Sequence, residues 1–366
     1  MANNVKFIAG SFLIQASEAF LNGGSSGGMA SEDQNLVQPK FMWVNGKQVP
    51  YVSSQAWKHW LRDTLIQETK WPASRLRAIG WNDKGNTAKI AGMLNPVDYP
   101  EDDIFGYMYA HSTKEPKKLT DEQKAIVDTL PTEQLVRPSV FLASLLSAIQ
   151  TKGTITRDEA FVHLKDGSNP LPYTTAFYNA DMNAIFGIDL SRLGMFDNLE
   201  AKDKELDPKL IDKALAEKKI EIHKPEKPKK AGVAIYKKAN LPAYQKDVVF
   251  QLFNAIAHLQ GGAKMAQFGV DVTPKVIIAA GLNFKSPIFS DVFEVGTDKP
   301  RLKIATLKEL LVDYKDRLQT PVFIGLRTGY LENEDEIRKL ASDEKLKGKI
   351  VLSTPVEIAA KIRDSI

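Results

Sequence analysis

The hydrophobic and polar positions at the start of the chain predict strands rather than helices. Residues 5–20 are rich in β-formers and predict a long first strand. Residues 38–52 predict a β-hairpin, because Asn45-Gly46 is typical of a type I′ turn. A Gly-rich loop at residues 21–35 separates these elements, and its glycines permit close approach of the backbone to a ligand. We therefore expect a sheet to begin the chain.

Residues 49–66 carry a clear helical pattern that starts where the hairpin ends. Ser53 and Ser54 are N-cap candidates, since their hydroxyls can accept from the first free backbone N–H groups. Lys58 and Arg62 are four residues apart and share a different face. A helix start with nearby cations is suited to hold phosphates. The simpler alternative is an ordinary amphipathic helix whose Lys and Arg are only solvated surface charges. The apolar spacing predicts one buried face, formed by Trp57, Trp60, Leu61, Thr64 and Leu65.

The second half of the chain repeats this alternation of strand and helix. Residues 173–193 predict a long central strand, whereas residues 137–150 fit a strand or a helix. An amphipathic helix is predicted at residues 247–259, followed by two glycines and a strand at residues 274–282. Residues 302–366 predict further helices and short strands. The core order is strand, helix, strands, helix, strand, which is the βαββαβ plan of a ferredoxin-like or RRM-like α+β domain.

Two segments interrupt this plan. Residues 67–134 carry scattered Gly and Pro with weak periodicity, and residues 197–245 include a Lys-Pro run that resists packing. Within the second segment, residues 208–216 predict a short helix. We therefore expect two large insertions in a discontinuous domain, which we call the palm. The palm would comprise residues 1–66, 135–196 and 246–366.

Composition narrows the class of protein further. The chain has 366 residues, of which 43% are hydrophobic and 26% charged, as in soluble globular proteins. A net charge of +4 is compatible with a polyanionic partner without requiring one. The absence of cysteine excludes disulfides, thiolate metal sites and Cys nucleophiles, and suits a reducing cytosol. No secretory signal and no apolar run long enough to cross a membrane is present, so we expect no membrane partner.

Candidate catalytic residues are few. The five histidines show no paired metal spacing, and no phosphate-binding loop motif occurs. Asp102 and Asp103 raise the possibility of a metal or an acid/base pair, but no third ligand lies nearby, so a structural role is favoured. Asp33, at the end of the Gly-rich loop, could position a metal for RNA cleavage, although a solvated loop acid is the simpler interpretation. We therefore predict no cofactor, no metal and no catalytic residue.

Several motifs, taken in their order along the chain, resemble the DevR subgroup of the Cas seven-type proteins. These proteins are the repeated backbone subunits of type I CRISPR surveillance complexes (Cascade), and the likeness favours subtype I-B. The resemblance covers most of the chain. The motifs are NGG at 22–24, PYVSSQAWKHWLRD at 50–63, DDIFGYM at 102–108, YNADMNAIFGIDLSRLGMF at 178–196 and LQGGAKMAQF at 259–268.

This resemblance implies a right-hand-like protein without enzymatic activity. The RRM-like palm would carry fingers built from residues 67–134 and a thumb built from residues 197–245. Copies would stack as a helical filament along one guide crRNA in the cytoplasm and present it for pairing with a target DNA strand, beside other Cascade subunits. Related subunits of type III complexes cut target RNA with a loop acid, so a metal-dependent endoribonuclease using Asp33 is the alternative.

The resemblance also implies which residues contact RNA. It places phosphate contacts on the helix start and on two loops, at residues 22–24 and 259–268, that match motifs of the family. Phosphate contacts do not read bases, so they can hold a guide of any sequence. In the family, a thumb residue also wedges between bases, and Met195 or Phe196 could fill that role. The implied RNA-binding residues are Asn22, Gly23, Lys40, Ser53, Ser54, Gln55, Lys58, Arg62, Gly261, Gly262 and Lys264.

Overall fold

The computed structural model of the protein describes residues 4–23, 36–82, 84–110, 119–151, 155–162, 171–199, 204–225 and 232–366, with Gly153 and Gly167. Within these ranges the strands are β1 (Phe7–Ala19), β2 (Leu36–Val37), β3 (Phe41–Val44), β4 (Lys47–Val52), β5 (Arg77–Trp81), β6 (Thr87–Ala91), β7 (Tyr107–Tyr109), β8 (Leu135–Arg137), β9 (Phe141–Ala143), β10 (Leu146–Thr151), β11 (Thr156–Val162), β12 (Leu171–Asp189), β13 (Met195–Asp197), β14 (Ile220–Lys224), β15 (Ile235–Lys238), β16 (Val276–Leu282), β17 (Phe293–Glu294), β18 (Arg301–Leu302), β19 (Val322–Leu326) and β20 (Ile350–Ser353). The helices are α1 (Ser54–Glu68), α2 (Pro100–Phe105), α3 (Asp121–Asp128), α4 (Pro208–Ala216), α5 (Leu241–Ala257), α6 (Met265–Phe268), α7 (Ile304–Asp313), α8 (Glu334–Ala341) and α9 (Ile358–Ser365), with a short 3₁₀ turn at Glu344–Leu346.

The fold is mixed α+β and contains one large central sheet. Its strand order is β20-β19-β16-β1-β12-β10-β4-β3, and β2, β9 and β11 also pair with β12. Strand β1 runs antiparallel to β16, with Phe7 opposite Leu282. Strand β19 runs antiparallel to β16 and parallel to β20. The first strand predicted from the sequence is therefore an inner strand of this sheet.

One face of β1 packs against helix α1 and the aromatic core. The Phe12 ring meets the buried Trp57 ring edge-on at 5.5 Å, and it lies 6.2 Å from Phe186. Phe186 in turn contacts Phe253 of α5 at 5.5 Å. Gly10 provides the space for Phe186, because a Cβ atom there would lie 2.2 Å from its ring. This face is thus closed by rings from α1, β12 and α5.

The opposite face of β1 is also covered. Side chains alternate along a strand, so Phe7 and Leu13 point away from the face that carries Phe12. They join a buried cluster with Leu307 of α7 and Ile337 of α8. A sheet covered on both faces in this region cannot offer an open face for base stacking there.

Several predicted elements of the core and of the second insertion are confirmed. The first strand, the hairpin and helix α4 lie where the sequence places them, and both hairpin turn residues have positive φ (Asn45 50°, Gly46 74°). Residues 137–150, ambiguous in sequence, form the strands β9 and β10 and the end of β8. The predicted start of the second long helix is wrong, because α5 begins at Leu241 rather than at residue 247.

The chain divides into two compact units. Unit 1 comprises Met1–Glu68, Ala143–Gly187 and Val249–Ile366, and unit 2 comprises Thr69–Leu142 and Ile188–Val248. The segments predicted as fingers and thumb lie almost entirely in unit 2, so they belong to one compact unit. Their roles as fingers and thumb stay predictions.

Unit 2 contains a buried polar cluster, which we call the Arg137 cluster. The Arg137 guanidinium pairs with Asp103 and Glu205, and the side chains of Arg137 and Asp103 are 0% exposed. Glu205 also pairs with Arg192 at 2.6 Å, and the Tyr244 hydroxyl donates to Asp103 Oδ2 at 2.7 Å. Asp103, Arg137 and Glu205 come from separate parts of the chain. The cluster therefore joins the two predicted insertions inside unit 2.

Candidate nucleic-acid interface

Helix α1 begins with the cap that the sequence predicts. The Ser53 Oγ accepts from the Ala56 backbone N–H at 3.4 Å, and the Ser53 carbonyl accepts from the Trp57 N–H at 3.2 Å. Ser53 is therefore the N-cap, while Ser54 is the first helical residue. The first turn carries no acidic side chain that would offset the positive end of the helix dipole. This helix end retains the capacity to attract an anion.

The two cations of α1 lie beside its buried face. The face predicted from spacing is confirmed, because Trp57, Trp60, Leu61, Thr64 and Leu65 are the buried residues of α1. Lys58 and Arg62 are half-buried. Burial lowers the pKa of the Lys58 ammonium from its ordinary value of 10.5, since removal of water disfavours its charged form. A phosphate beside Lys58 would restore part of the lost stabilisation of that charge.

The glycine turn after α5 is anchored on α1. The Gln260 N–H donates to Thr64 Oγ1 at 3.1 Å. Gly261 lies directly against the Trp60 indole, where a Cβ atom would be 2.2 Å from the ring carbon Cγ, and its φ is +156°. Gly262 has a φ of +115°. Both glycines are therefore required by close approach and backbone conformation rather than by flexibility alone.

Lys264 is held in a defined position beyond this turn. Its Nζ donates to Thr175 Oγ1 at 2.9 Å and lies 5.1 Å from the centroid of the Phe20 ring. The Ala263 N–H donates to the Leu21 carbonyl at 3.0 Å, which ties the turn to the end of β1. An ammonium group has three donors, so Lys264 can bond Thr175 and still donate to an anion.

The segment 20–23 links these elements to the hairpin. The Lys40 N–H donates to the Asn22 carbonyl at 2.8 Å, and Asn22 Nδ2 donates to Ser53 Oγ at 3.4 Å. Gly23 pairs with Pro39 in an isolated antiparallel bridge. Residues 20–23 thus contact the helix start at Ser53, the beginning of β3 at Lys40 and the glycine turn at residues 260–264. We call these four parts together the convergence site.

Lys58 and Arg62 lie outside this convergence site, on the other flank of α1. At about 100° per residue, they are roughly 120–160° around the helix from Trp60 and Thr64, which touch the glycine turn. Lys58 and Arg62 therefore form a second cationic position, apart from Lys264 and the glycine turn. Gln55 is exposed on the same side of α1 as these two cations.

The structure does not support Phe196 as a base-wedging residue. Its side chain is 0% exposed within a core cluster of unit 2, and the Arg137 guanidinium stacks 4.7 Å from its ring centroid. A ring enclosed in this way cannot enter a base stack. Met195 is half-buried, and its carbonyl accepts from Arg137 Nη1 at 3.0 Å, so wedging by Met195 stays a prediction.

The carboxylates singled out in the sequence fall into two groups. Asp33 lies outside the described residues. Asp102 accepts from Ser74 Oγ at 2.6 Å and from the Asn95 N–H at 2.9 Å, and Asp103 belongs to the Arg137 cluster, so both have structural partners. In the ranges that the structure describes, no group of three His, Cys, Asp or Glu side chains could hold a metal. None of the helices in those ranges is long and apolar enough to cross a membrane.

Sequence reasoning missed the residues that position the convergence site. Thr175 lies 89 residues before Lys264, and Thr64 lies 196 residues before Gln260, so no sequence spacing connects them. The sequence pattern places Phe20 only in the first strand and gives no sign of its contact with Lys264. These contacts depend on sheet register, which a single sequence does not reveal.

Comparisons with known proteins show the fold. No family model matches the chain, and no curated protein matches it in sequence. A chain of the solved structure titled "CRISPR RNA-guided surveillance complex, pre-nicking" matches with a TM-score of 0.50 and 12% identity, over 98% of this chain and 100% of that chain. A chain titled "CRISPR RNA-guided surveillance complex" matches over the same shares with a TM-score of 0.48 and 13% identity. The protein thus shares the fold of a chain from an RNA-guided complex.

Proposed function

We propose that the protein is a non-catalytic, CRISPR-associated subunit that binds a guide crRNA through its phosphates. In this proposal, copies of the protein form a filament along the guide and present it to a target DNA strand, together with other Cascade subunits of subtype I-B. Unit 1 contains most of the RRM-like palm, and unit 2 contains nearly all of the fingers and thumb.

The convergence site is the observation that carries this proposal. It brings a helix N-terminus without acids, two glycines with close backbone approach and the ammonium of Lys264 around residues 20–23. Backbone N–H groups and cations are the groups that bind phosphates without reading bases. A subunit that must accept any guide sequence requires contacts of this type.

The arrangement of unit 1 supports the palm assignment. Strands β16, β1, β12 and β10 are neighbours in that order, and α1 and α5 lie between the strands of the βαββαβ plan along the chain. The similar chain named above comes from a complex whose title states that it is RNA-guided. Because the sheet is covered on both faces at β1, the proposal depends on phosphate contacts rather than on bases stacked against that sheet.

A double variant at Lys58 and Arg62 tests the phosphate contacts. Each phosphate contact to a single strand contributes about 0.7 to the slope of log K against log salt, so Lys58→Ala with Arg62→Ala should lower the slope by about 1.4. The loss of affinity should be equal for RNAs of unrelated sequence. Lys308→Ala with Lys315→Ala removes the same charge from exposed positions at and beyond α7 and should change neither quantity.

RNA bound in the host tests the identity of the ligand. The protein is purified from its host with an affinity tag, and the RNA that co-purifies is sequenced. CRISPR transcripts should dominate in the wild type and should fall in the double variant. Material that carries no CRISPR transcript, or a double variant that loses binding to one RNA sequence only, would refute the proposal.

A further inference from the structure

The hairpin of β3 and β4 exposes a tryptophan next to the convergence site. Trp43 is 61% exposed and its neighbour Val44 is 44% exposed. The other tryptophans of the protein are buried or half-buried. Tryptophan is highly buried on average, and an exposed indole offers a large flat surface to a planar partner.

The orientation of Trp43 is set by its neighbours in the hairpin. The Phe41 ring meets the Trp43 ring edge-on, with centroids 6.0 Å apart. Trp43 lies opposite Gln48 of β4, a pairing that the Asn45-Gly46 turn holds in register. In such a T-shaped pair Phe41 covers at most one face of the Trp43 ring, and Trp43 is 61% exposed, so another face can accept a planar group.

The charge around this hairpin favours a polyanion over a second protein copy. Residues 36–52, which include the hairpin, contain Lys40 and Lys47 and no Asp or Glu. Lys40 is bonded through its backbone to Asn22, so β3 starts within the convergence site. Trp43 lies three residues further along this strand, about 10 Å away.

We propose that Trp43 stacks on a base of the nucleic acid that is bound at the convergence site. This inference rests on the proposed function and adds a base contact to a site otherwise made of phosphate contacts. Strand β3 ends the strand order of the described sheet, and Lys40 and Trp43 point to opposite faces of the hairpin. A bound strand passes around this outer edge, with a phosphate near Lys40 and a base against Trp43. Stacking of this kind accepts all four bases, because each has a π-face.

Binding of a short unstructured RNA by the full-length protein tests this inference. Trp43→Ala should weaken binding at least about fivefold, whereas Trp43→Phe, which keeps a ring, should retain most of the affinity. The slope of log K against log salt should stay unchanged in both variants, because no phosphate contact is lost. Val312→Ala, which shortens another exposed apolar side chain, is the matched control and should bind like the wild type.

An abasic oligonucleotide of equal length and charge separates stacking from charge. The wild type and Trp43→Ala should bind this probe equally, and RNA should quench tryptophan fluorescence in the wild type more than in Trp43→Phe. If Trp43→Ala binds RNA as tightly as the wild type, the stacking of Trp43 is refuted, while the proposed function stands. The same holds if Trp43→Ala binds RNA normally and loses only self-association. A wild type that binds no RNA refutes the proposed function, and the inference with it.

Discussion

Replacing Arg137 with Met should destabilise unit 2 strongly. The change leaves Asp103 and Glu205 buried without their shared cation and removes the donor to the Met195 carbonyl. Removal of one partner from a buried ion pair typically costs about 3–5 kcal/mol. Asp103 keeps the Tyr244 hydroxyl and Glu205 keeps Arg192, so the lower end of this range, about 3 kcal/mol, is expected.

Acid should reduce this loss of stability. Burial raises the pKa of Glu205 from its ordinary value of 4.5, and Arg137 is the largest influence that opposes the rise. A carboxyl whose folded pKa is raised favours the folded state when protonated, and that stabilisation is lost as pH rises through the folded pKa. Without Arg137 the pKa of Glu205 rises further, so the variant should lose least stability below about pH 4.5 and most near neutrality.

Hydrogen exchange with mass spectrometry can locate the effect. The free energy of opening should fall in unit 2 and change much less in unit 1. Arg301→Met is the matched control, since Arg301 pairs with Glu332 and Glu336 on a part-exposed surface, where a salt bridge contributes at most about 1 kcal/mol. Equal losses for Arg137→Met and Arg301→Met would show that the cluster stabilises unit 2 no more than a surface ion pair does. A loss for Arg137→Met that does not depend on pH would show that the unpaired carboxylates are not its source.

Two further predictions concern the convergence site and the alternative activity. Gly261→Ala should displace the glycine turn from Trp60 and weaken RNA binding. Gly269→Ala is the control: Gly269 also has a positive φ, but no atom would lie within 4 Å of an added Cβ. That variant should cost only about 1–2 kcal/mol of stability and leave RNA binding intact. Equal RNA affinity for the two variants in a binding titration would argue against contact at the turn. Assembled complex incubated with Mg²⁺ and complementary RNA should leave that RNA intact on a denaturing gel. Regular cuts that Asp33→Asn abolishes would instead establish the nuclease.

Local structure was largely determined by the sequence itself. The spacing of the apolar residues in α1 identifies its buried face, and Asn45-Gly46 identifies the hairpin turn with positive φ at both residues. Helix α4 lies at the predicted residues 208–216, and in the structure the Asp207 side chain caps its start by accepting from the Lys209 N–H. Each of these features depends on side chains a few residues apart, whose preferences act within one turn or one hairpin. The general class of the convergence site, a helix start and a glycine turn with cations, follows from the same local signals.

Only the tertiary structure decided which distant residues meet. Arg137 contacts Asp103 across 34 positions of the chain and Glu205 across 68, and these two contacts join the predicted insertions within one unit. Burial of Phe196 beneath Arg137 removed it from the candidate RNA contacts, and the position of Gly261 on Trp60 separated Lys58 and Arg62 from the glycine turn. Such contacts depend on sheet register and helix packing, which sum many weak long-range interactions. Periodicity along a single chain records which face of an element is buried, but not what that face is buried against.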